Sequence, residues 1–242
     1  MYFKIYQEGN LINCVAIILA RGGSKGLPDK NIVDFCGKPL LVWTINNCLN
    51  AKGVNSVWVS TDSDDISDIA CHAGANLIKR PAELADDNST GESGWLHAIN
   101  VIEEKSTQID VVLAPQVTSP LRETKDIERG IEKFQTEDWD SMFSCSVVGD
   151  LYFWESAANG RMRSVNYDYR NRQRRQEFAK QYVENGSYYL FRPDVIRRYQ
   201  NRLGGKIGCI EMEFWKMFEI DDIDDLRICS AIMKEFILGR KS

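Results

Sequence analysis

Apolar residues recur along the chain in two patterns that alternate with each other. Short continuous apolar or β-branched runs are typical of strands in a sheet, and apolar repeats every three to four residues are typical of helices. Strands are predicted at residues 14–20, 56–60, 110–114, 141–148 and 186–191. Helices are predicted at residues 39–49, 64–73, 91–104, 124–134 and 224–238. This alternation predicts an α/β fold with a mainly parallel central sheet.

Residues 149–183 follow neither pattern. They contain closely spaced aromatic residues and then a run of arginines between positions 170 and 175. The stretch is too aromatic to remain disordered, so we expect an inserted lobe within a single domain that covers residues 1–242. An exposed aromatic patch is a liability that symmetric pairing removes. We therefore predict that this lobe forms the contact of a homodimer.

Composition narrows the classes of function. The 242 residues include 30 Lys and Arg against 35 Asp and Glu, and the net charge of −5 argues against nucleic acid as a partner. The seven cysteines are scattered without a Cys-x-x-Cys pair, which favours a reducing compartment over a disulfide framework. No apolar run approaches the length of a membrane span, and residues 1–13 lack the marks of a signal peptide. We expect a soluble, cytoplasmic protein with no membrane partner.

A glycine-rich loop, LARGGSKGLPDKN, follows the first predicted strand at residues 19–31. Its glycines let the backbone approach an anion closely. Arg21, Lys25 and Lys30 place three cations on this loop, which suits a triphosphate. The spacing matches neither the Walker A motif nor the G-x-G-x-x-G fingerprint. The alternative interpretation is a flexible surface loop with solvated charges.

An acidic segment, FEIDDIDDL at residues 218–226, begins the last predicted helix. Glu219 and Asp221 lie on one side of an extended stretch, so both carboxylates can reach one hard cation such as Mg²⁺. Asp224 and Asp225 are expected to complement the dipole at the helix start. For Glu219 and Asp221, a metal site and a solvated acidic face are alternative interpretations.

Two further stretches are candidate walls of a pocket. QVTSPLR at residues 116–122 follows a predicted strand and offers an amide, hydroxyls and an arginine. ENGSYY at residues 184–189 leads into the next strand. Each of them, taken alone, is also compatible with an ordinary turn.

These motifs, together with VSTD at 59–62, RPAELADD at 80–87 and RRQ at 174–176, occur in the order found in the acylneuraminate cytidylyltransferases, the CMP-sialic acid synthetases. The chain resembles that family from about residue 14 onward. The resemblance implies a Rossmann-like nucleotidyltransferase fold whose inserted lobe exchanges contacts across a homodimer. It also implies transfer of CMP from CTP to the anomeric hydroxyl of an N-acylneuraminate, a nine-carbon acidic sugar, with Mg²⁺ as the cofactor or Mn²⁺ in its place.

The resemblance also implies roles for individual residues. The nucleotide-binding positions are Arg21, Gly22, Gly23, Ser24, Lys25, Lys30, Asn31, Arg80, Ser89 and Thr90. The sugar-binding positions are Gln116, Arg175, Asn185 and Tyr189. The metal positions are Asp221 and Glu219, and the residues expected to act in catalysis are Arg21, Lys25, Lys30 and Asp221. The sequence departs from the family pattern at three places, where an aspartate, a proline and a serine are replaced by Glu219, Val117 and Gly91.

Alternatives to this function differ in substrate or in chemistry. The same reaction could use legionaminic acid or another nonulosonic acid. The eight-carbon sugar Kdo is disfavoured, because residues 116–120 read QVTSP where its synthetases usually have Gln-Gly-Asp-Glu-Pro. An NAD-dependent oxidoreductase is disfavoured by the missing dinucleotide fingerprint. A nucleotide-binding relative without turnover would release no pyrophosphate.

Overall fold

A seven-stranded sheet forms the centre of the molecule. The computed structural model describes residues 12–149, 151–172, 174 and 179–240. The strands are β1 Cys14–Leu19, β2 Asp34–Phe35, β3 Lys38–Pro39, β4 Val54–Thr61, β5 Asn76–Lys79, β6 Val111–Pro115, β7 Ser141–Val148, β8 Trp154–Ser156, β9 Met162–Ser164, β10 Gln181–Phe191 and β11 Ile207–Met212. The spatial order in the sheet is β5-β4-β1-β6-β10-β7-β11. β10 runs antiparallel to both of its neighbours, and the other neighbouring pairs are parallel.

Helices cover both faces of this sheet, as parallel sheets require. They are α1 Leu40–Leu49, α2 Asp64–His72, α3 Gly91–Glu104, α4 Thr124–Thr136, α5 Pro193–Tyr199 and α6 Ile223–Ile232, with a π-helical continuation at Met233–Leu238. Short 3₁₀ helices lie at Lys30–Ile32, Ala82–Leu84 and Phe214–Met217. None of the described helices is both long and apolar enough to cross a lipid bilayer.

The central strand β1 shows why the apolar run is continuous. Ala16 and Ile18 belong to the core on the side of α1, α2, α4 and α6, whereas Val15 and Ile17 belong to the core on the side of α3 and α5. Successive side chains of a strand point to opposite faces, so a strand buried on both faces needs an apolar residue at every position. The predicted α/β fold with a mainly parallel sheet is confirmed.

The structure adds elements that the sequence pattern did not predict. β5 and β11 lie at the two edges of the sheet, and their polar, partly exposed positions interrupt any apolar run. Helix α5 was also missed, because it spans only seven residues. β10 begins at Gln181, where it pairs with Val148 of β7, so the last residues of the range predicted for the lobe extend the central sheet.

The described part of the inserted region, between β7 and β10, contains the hairpin β8–β9 and a cluster of aromatic rings. The Tyr152 and Tyr167 ring centroids lie 4.4 Å apart, and the Trp154 ring lies 5.8 Å from that of Tyr167. Apolar side chains nearby remain exposed, including Phe153 at 51% and Met162 at 59%. The region therefore packs through its own rings and leaves an apolar surface open.

Candidate active site

The carboxyl ends of β1, β4 and β6 lie at the same end of the sheet, which is where open α/β folds bind their ligands. A cavity of about 450 Å³ opens there. The structure brings all the predicted nucleotide-binding residues except Gly22 and Gly23 to its wall, namely Arg21, Ser24, Lys25, Lys30, Asn31, Arg80, Ser89 and Thr90.

The two missing glycines lie on the loop next to the cavity. The Gly22 amide donates a hydrogen bond to Asp62 Oδ1 over 3.0 Å, so the protein already uses a donor that we expected to face phosphate. Gly23 has a positive φ of 65°, which a residue with a side chain rarely adopts. Gly22 therefore fixes the loop to the end of β4, and Gly23 lets the loop turn.

One carboxylate, that of Asp87, holds two of the three loop cations. Its Oδ1 lies 3.0 Å from Arg21 Nη2, and its Oδ2 lies 2.6 Å from Lys25 Nζ. The hydrogen bond from Lys25, supported by that from Arg21, holds the pKa of Asp87 below its usual value. The motif RPAELADD contains Asp87, but nothing in the sequence marked it as the partner of these cations.

The third cation, Lys30, reaches the acidic segment instead. Its Nζ lies 2.9 Å from Asp221 Oδ1, and the Lys30 side chain is only 16% exposed. Gly26 makes a second contact, because a Cβ at that position would lie 2.5 Å from the Asp221 carbonyl oxygen. The glycine-rich loop and the acidic segment therefore touch directly, although they are far apart in sequence.

Asn31 and Arg80 form the buried back of the cavity. Asn31 donates from Nδ2 to the Arg21 carbonyl oxygen over 2.9 Å. Arg80 donates from Nε to Ser60 Oγ over 3.2 Å and also to the Ser60 carbonyl oxygen. Thr90 accepts from the Ser93 amide over 3.2 Å and so caps α3. These side chains are fixed by the protein before any ligand arrives.

A wide bulge in β10 forms the neighbouring part of the site. Four residues of β10, 185–188, lie opposite the single residue Ser144 of β7. Gly186 in this bulge has a φ of +61°, and a Cβ there would overlap the Glu219 carboxylate and approach Gln116 Oε1 to 2.9 Å. The bulge therefore brings Gln116, Gly186 and Glu219 together.

The other predicted sugar-binding residues lie differently. Asn185 is buried, and its amide donates to Ser146 Oγ over 3.3 Å. Tyr189 is also buried; its hydroxyl donates to Glu184, and Arg202 lies 4.4 Å from the centre of its ring. Sequence reasoning singled out neither Glu184 nor Arg202. Arg175 lies outside the described residues.

The two carboxylates of the acidic segment differ in their surroundings. Asp221 is exposed, with 75% of its side chain accessible, and it faces Lys30. Glu219 is half-buried; burial raises its pKa to about 6, and the nearby Asp221 carboxylate acts in the same direction. Asp225 accepts hydrogen bonds from the amides of Asp221 and Asp222, which agrees with its expected role at the helix start.

Comparison with known proteins decides the family. Residues 15–226 match the model of a family described as "Cytidylyltransferase". The chain belongs to the cytidylyltransferase family. It is 35% identical over 225 residues to the N-acylneuraminate cytidylyltransferase of Oncorhynchus mykiss, covering 91% of this chain and 50% of that protein. It is 29% identical over 178 residues to a pseudaminic acid cytidylyltransferase of Campylobacter jejuni, covering 73% of this chain and 77% of that protein.

Solved structures share the fold of this cytidylyltransferase family member. CMP:2-keto-3-deoxy-manno-octonic acid synthetase, solved with CTP, superimposes with a TM-score of 0.68 at 19% identity, over 92% of this chain and 99% of that one. The family match and the 35% identical relative confirm the resemblance to acylneuraminate cytidylyltransferases. The solved structure confirms the expected fold. The chain spans about half the length of the vertebrate N-acylneuraminate cytidylyltransferases that it matches.

The donor groups of the acidic segment fit a magnesium ion. Among the described residues, no three His, Cys, Asp or Glu side chains are grouped so that they could hold a metal. Mg²⁺ requires only one or two protein carboxylates and takes its remaining oxygens from water and substrate phosphates. Asp221 and Glu219 supply such a pair next to the cavity that contains the phosphate-binding candidates.

Proposed function

We propose that the protein transfers CMP from CTP to the anomeric hydroxyl of a sialic acid-type nonulosonic acid, an N-acylneuraminate, and releases pyrophosphate. The single observation that carries the proposal is the contact between Lys30 and Asp221. It joins a cavity with three cations to an acidic segment that faces the β10 bulge. The sites proposed for CTP, the donor, and for the sugar, the acceptor, would therefore lie next to each other.

CTP is proposed to occupy the cavity, with its triphosphate against Arg21, Lys25 and Lys30. The sugar hydroxyl attacks the α-phosphorus and gives up its proton to water, while the bond from that phosphorus to the leaving pyrophosphate breaks in line. Such transfers depend mainly on positioning and on the stabilisation of negative charge. The three cations neutralise the departing pyrophosphate, and the fixed side chains of Asn31 and Arg80 hold the nucleoside end.

Asp221, together with Glu219, is proposed to hold Mg²⁺, or Mn²⁺ in its place. A metal held by these carboxylates would withdraw charge from the α-phosphate and lower the pKa of the attacking hydroxyl. Asp221 also directs Lys30 into the cavity in the free protein. Glu219 must lose its proton to bind a cation, and burial raises its pKa to about 6 in the metal-free protein.

The sugar is proposed to lie at the β10 bulge against Gln116, with Arg175 pairing to its carboxylate as the resemblance implies. N-acylneuraminate is favoured over other nonulosonic acids because the relatives with that name are more similar to this chain than the pseudaminic acid enzyme, at 35% against 29% identity. Legionaminic and pseudaminic acids are the alternatives to be tested.

The experiment measures pyrophosphate release with CTP, Mg²⁺ and each sugar in turn. N-acetylneuraminic acid should give the highest kcat/KM, Kdo the lowest, and EDTA should abolish the reaction. Asp221→Asn should lose turnover but still bind CTP, whereas Asp224→Asn, which changes the same group in an exposed pair with Arg227, should behave as wild type. Pyrophosphate release with none of the sugars would identify a nucleotide-binding relative instead.

A homodimer is proposed from the exposed apolar side chains of the inserted region, such as Phe153, Met162 and Val165. Apolar patches of this kind commonly mark protein interfaces. Sedimentation at micromolar concentration should show a dimer that Phe153→Ser weakens, and a wild-type monomer would contradict the proposal.

A cytoplasmic location is proposed because all seven cysteines are free thiols, as a reducing compartment favours.

A further inference from the structure

A buried cluster of charged side chains lies next to the β10 bulge, the part of the site proposed for the sugar. The Lys216 ammonium is fully buried and contacts three carboxylates, with Nζ 2.7 Å from Asp126 Oδ2, 2.9 Å from Glu123 Oε2 and 2.9 Å from Glu213 Oε2. The contact with Asp126 is a hydrogen bond that the ammonium donates, and the other two are ion pairs. The Asp126 side chain is fully buried as well.

Lys216 remains charged in this cluster. Burial acts to lower its pKa, but the hydrogen bonds and charges of its partners, Asp126 foremost, outweigh burial and raise the pKa above its usual value. Taking such charges out of water is costly, and apolar residues of similar volume often stabilise a protein as well as a buried ion pair does. The cluster therefore suggests a need for defined geometry rather than for stability alone.

The chain position of Lys216 indicates what this geometry serves. Lys216 lies in the 3₁₀ helix Phe214–Met217, three residues before Glu219. On the other side of Glu219, the Ile220 amide donates to the Thr118 carbonyl oxygen over 2.8 Å, and Ile220 is fully buried. The carboxylate-bearing segment is thus attached to the body of the protein on both sides of Glu219.

The same cluster is attached to the β10 bulge. The Tyr188 hydroxyl donates to the Asp126 carbonyl oxygen over 2.6 Å. Beside it, the buried Arg122 donates to the Ser187 carbonyl oxygen and lies 3.0 Å from Thr44 Oγ1 on α1. Because Tyr188 and Ser187 follow Gly186 directly, the bulge and the acidic segment are both attached to the start of α4.

We propose that Lys216 is a positioning residue that, with Asp126, fixes the Glu219–Asp221 segment against the β10 bulge. The inference rests on the proposed function, because it assumes that this segment binds the metal beside the sugar. It predicts that Lys216 determines metal affinity without contacting metal or substrate. It also predicts that CTP binding depends on Lys216 much less than metal binding does. Gly22, Arg21 and Lys25 have their own attachments at Asp62 and Asp87, whereas the third cation, Lys30, contacts the acidic segment.

The test measures Mn²⁺ binding to the protein–CTP complex by electron paramagnetic resonance, alongside KM for CTP, kcat and the unfolding midpoint. Lys216→Met should weaken Mn²⁺ binding by about 10-fold or more, the usual effect of losing an outer support of a metal ligand, and should lower kcat. KM for CTP should stay within about two-fold of wild type, a change too small to indicate a lost charge contact. Asp221→Asn serves as the reference for loss of the metal site.

Two further variants make the result decisive. Lys125→Met removes another lysine that pairs with Glu123, at 3.1 Å, but is about half exposed; it should change nothing. Glu213→Gln removes the negative charge of one carboxylate that contacts Lys216, at a partly exposed position. This variant tests the proposal if Lys216→Met does not fold. Glu213→Gln should weaken Mn²⁺ binding to a smaller extent than Lys216→Met.

The proposal is overturned if the folded variants of the cluster bind Mn²⁺ as wild type does, or if Lys125→Met causes the same loss. Failure of the proposed function is a separate outcome. In that case the wild-type protein would release no pyrophosphate, while the comparison of Mn²⁺ binding between Lys216→Met and wild type would still decide the role of Lys216.

Discussion

Replacement of Glu219 by glutamine should stabilise the free protein above pH 6 while reducing its activity. The Glu219 pKa is about 6 in the folded protein, against an ordinary value of 4.5. Between these two values the folded state binds a proton that the unfolded state has lost. The free energy of unfolding of the wild type therefore falls as pH rises through this interval, and a glutamine removes that dependence.

The magnitude follows from the two pKa values. Their difference corresponds to about 2 kcal/mol, since one pKa unit is about 1.4 kcal/mol. The largest part of this change falls between the two pKa values, and somewhat more than half of it remains above about pH 5. Relative to wild type, Glu219→Gln should therefore gain about 1 kcal/mol of unfolding free energy when the two are compared at about pH 8 and about pH 5.

The assay is urea unfolding of both proteins at these two pH values, in EDTA and without nucleotide, so that neither metal nor CTP binds Glu219. Asp224→Gln provides a control at an exposed carboxylate of the same segment. Parallel pH dependence of the unfolding free energy in wild type and Glu219→Gln would refute the reasoning, because it would show that Glu219 titrates normally in the folded protein.

Three further predictions concern the loop and the bulge. Lys25→Met should lower kcat by about 10²–10³-fold, and its unfolding free energy should stay within about 0.5 kcal/mol because Lys25 is exposed; normal turnover at saturating CTP would contradict its role. Asp87→Asn should tighten CTP binding measured by calorimetry, because CTP no longer displaces a carboxylate from Arg21 and Lys25; unchanged affinity would contradict this. Gly186→Ala should destabilise the protein by about 1–3 kcal/mol and raise KM for the sugar more than KM for CTP, which the pyrophosphate assay can separate.

Local sequence predicted which residues line the cavity, for a physical reason. A glycine-rich loop with Arg21, Lys25 and Lys30 directly after a buried strand has few structural alternatives, and the strand end determines where the loop lies. The partners of these cations could not be predicted in the same way. Asp87 and Asp221 are distant in the chain, and only the packing of the fold brings them to the loop.

The geometry around the β10 bulge, where the sugar is proposed to lie, could be predicted less completely because it depends on strand direction. An apolar run such as 186–191 does not reveal whether its strand is parallel or antiparallel, or that its first residues form a bulge. The bulge turns Asn185 inward to Ser146, while Gly186 meets Gln116 and Glu219. Charged Lys216 lies in the interior, which no composition rule predicts for a lysine.

The reversed direction of β10 separates the inserted region between β7 and β10 from the loops that line the cavity. Because β7 ends and β10 begins at the end of the sheet where the cavity opens, the chain between them leaves and re-enters the sheet on the side of the β10 bulge. The loops that line the cavity follow β1, β5 and β6 and share no backbone with that excursion. Under the proposed function, insertions and substitutions in the excursion would alter which sugar is accepted while the cavity proposed for CTP stays as it is, so the choice of acceptor would evolve independently of the donor.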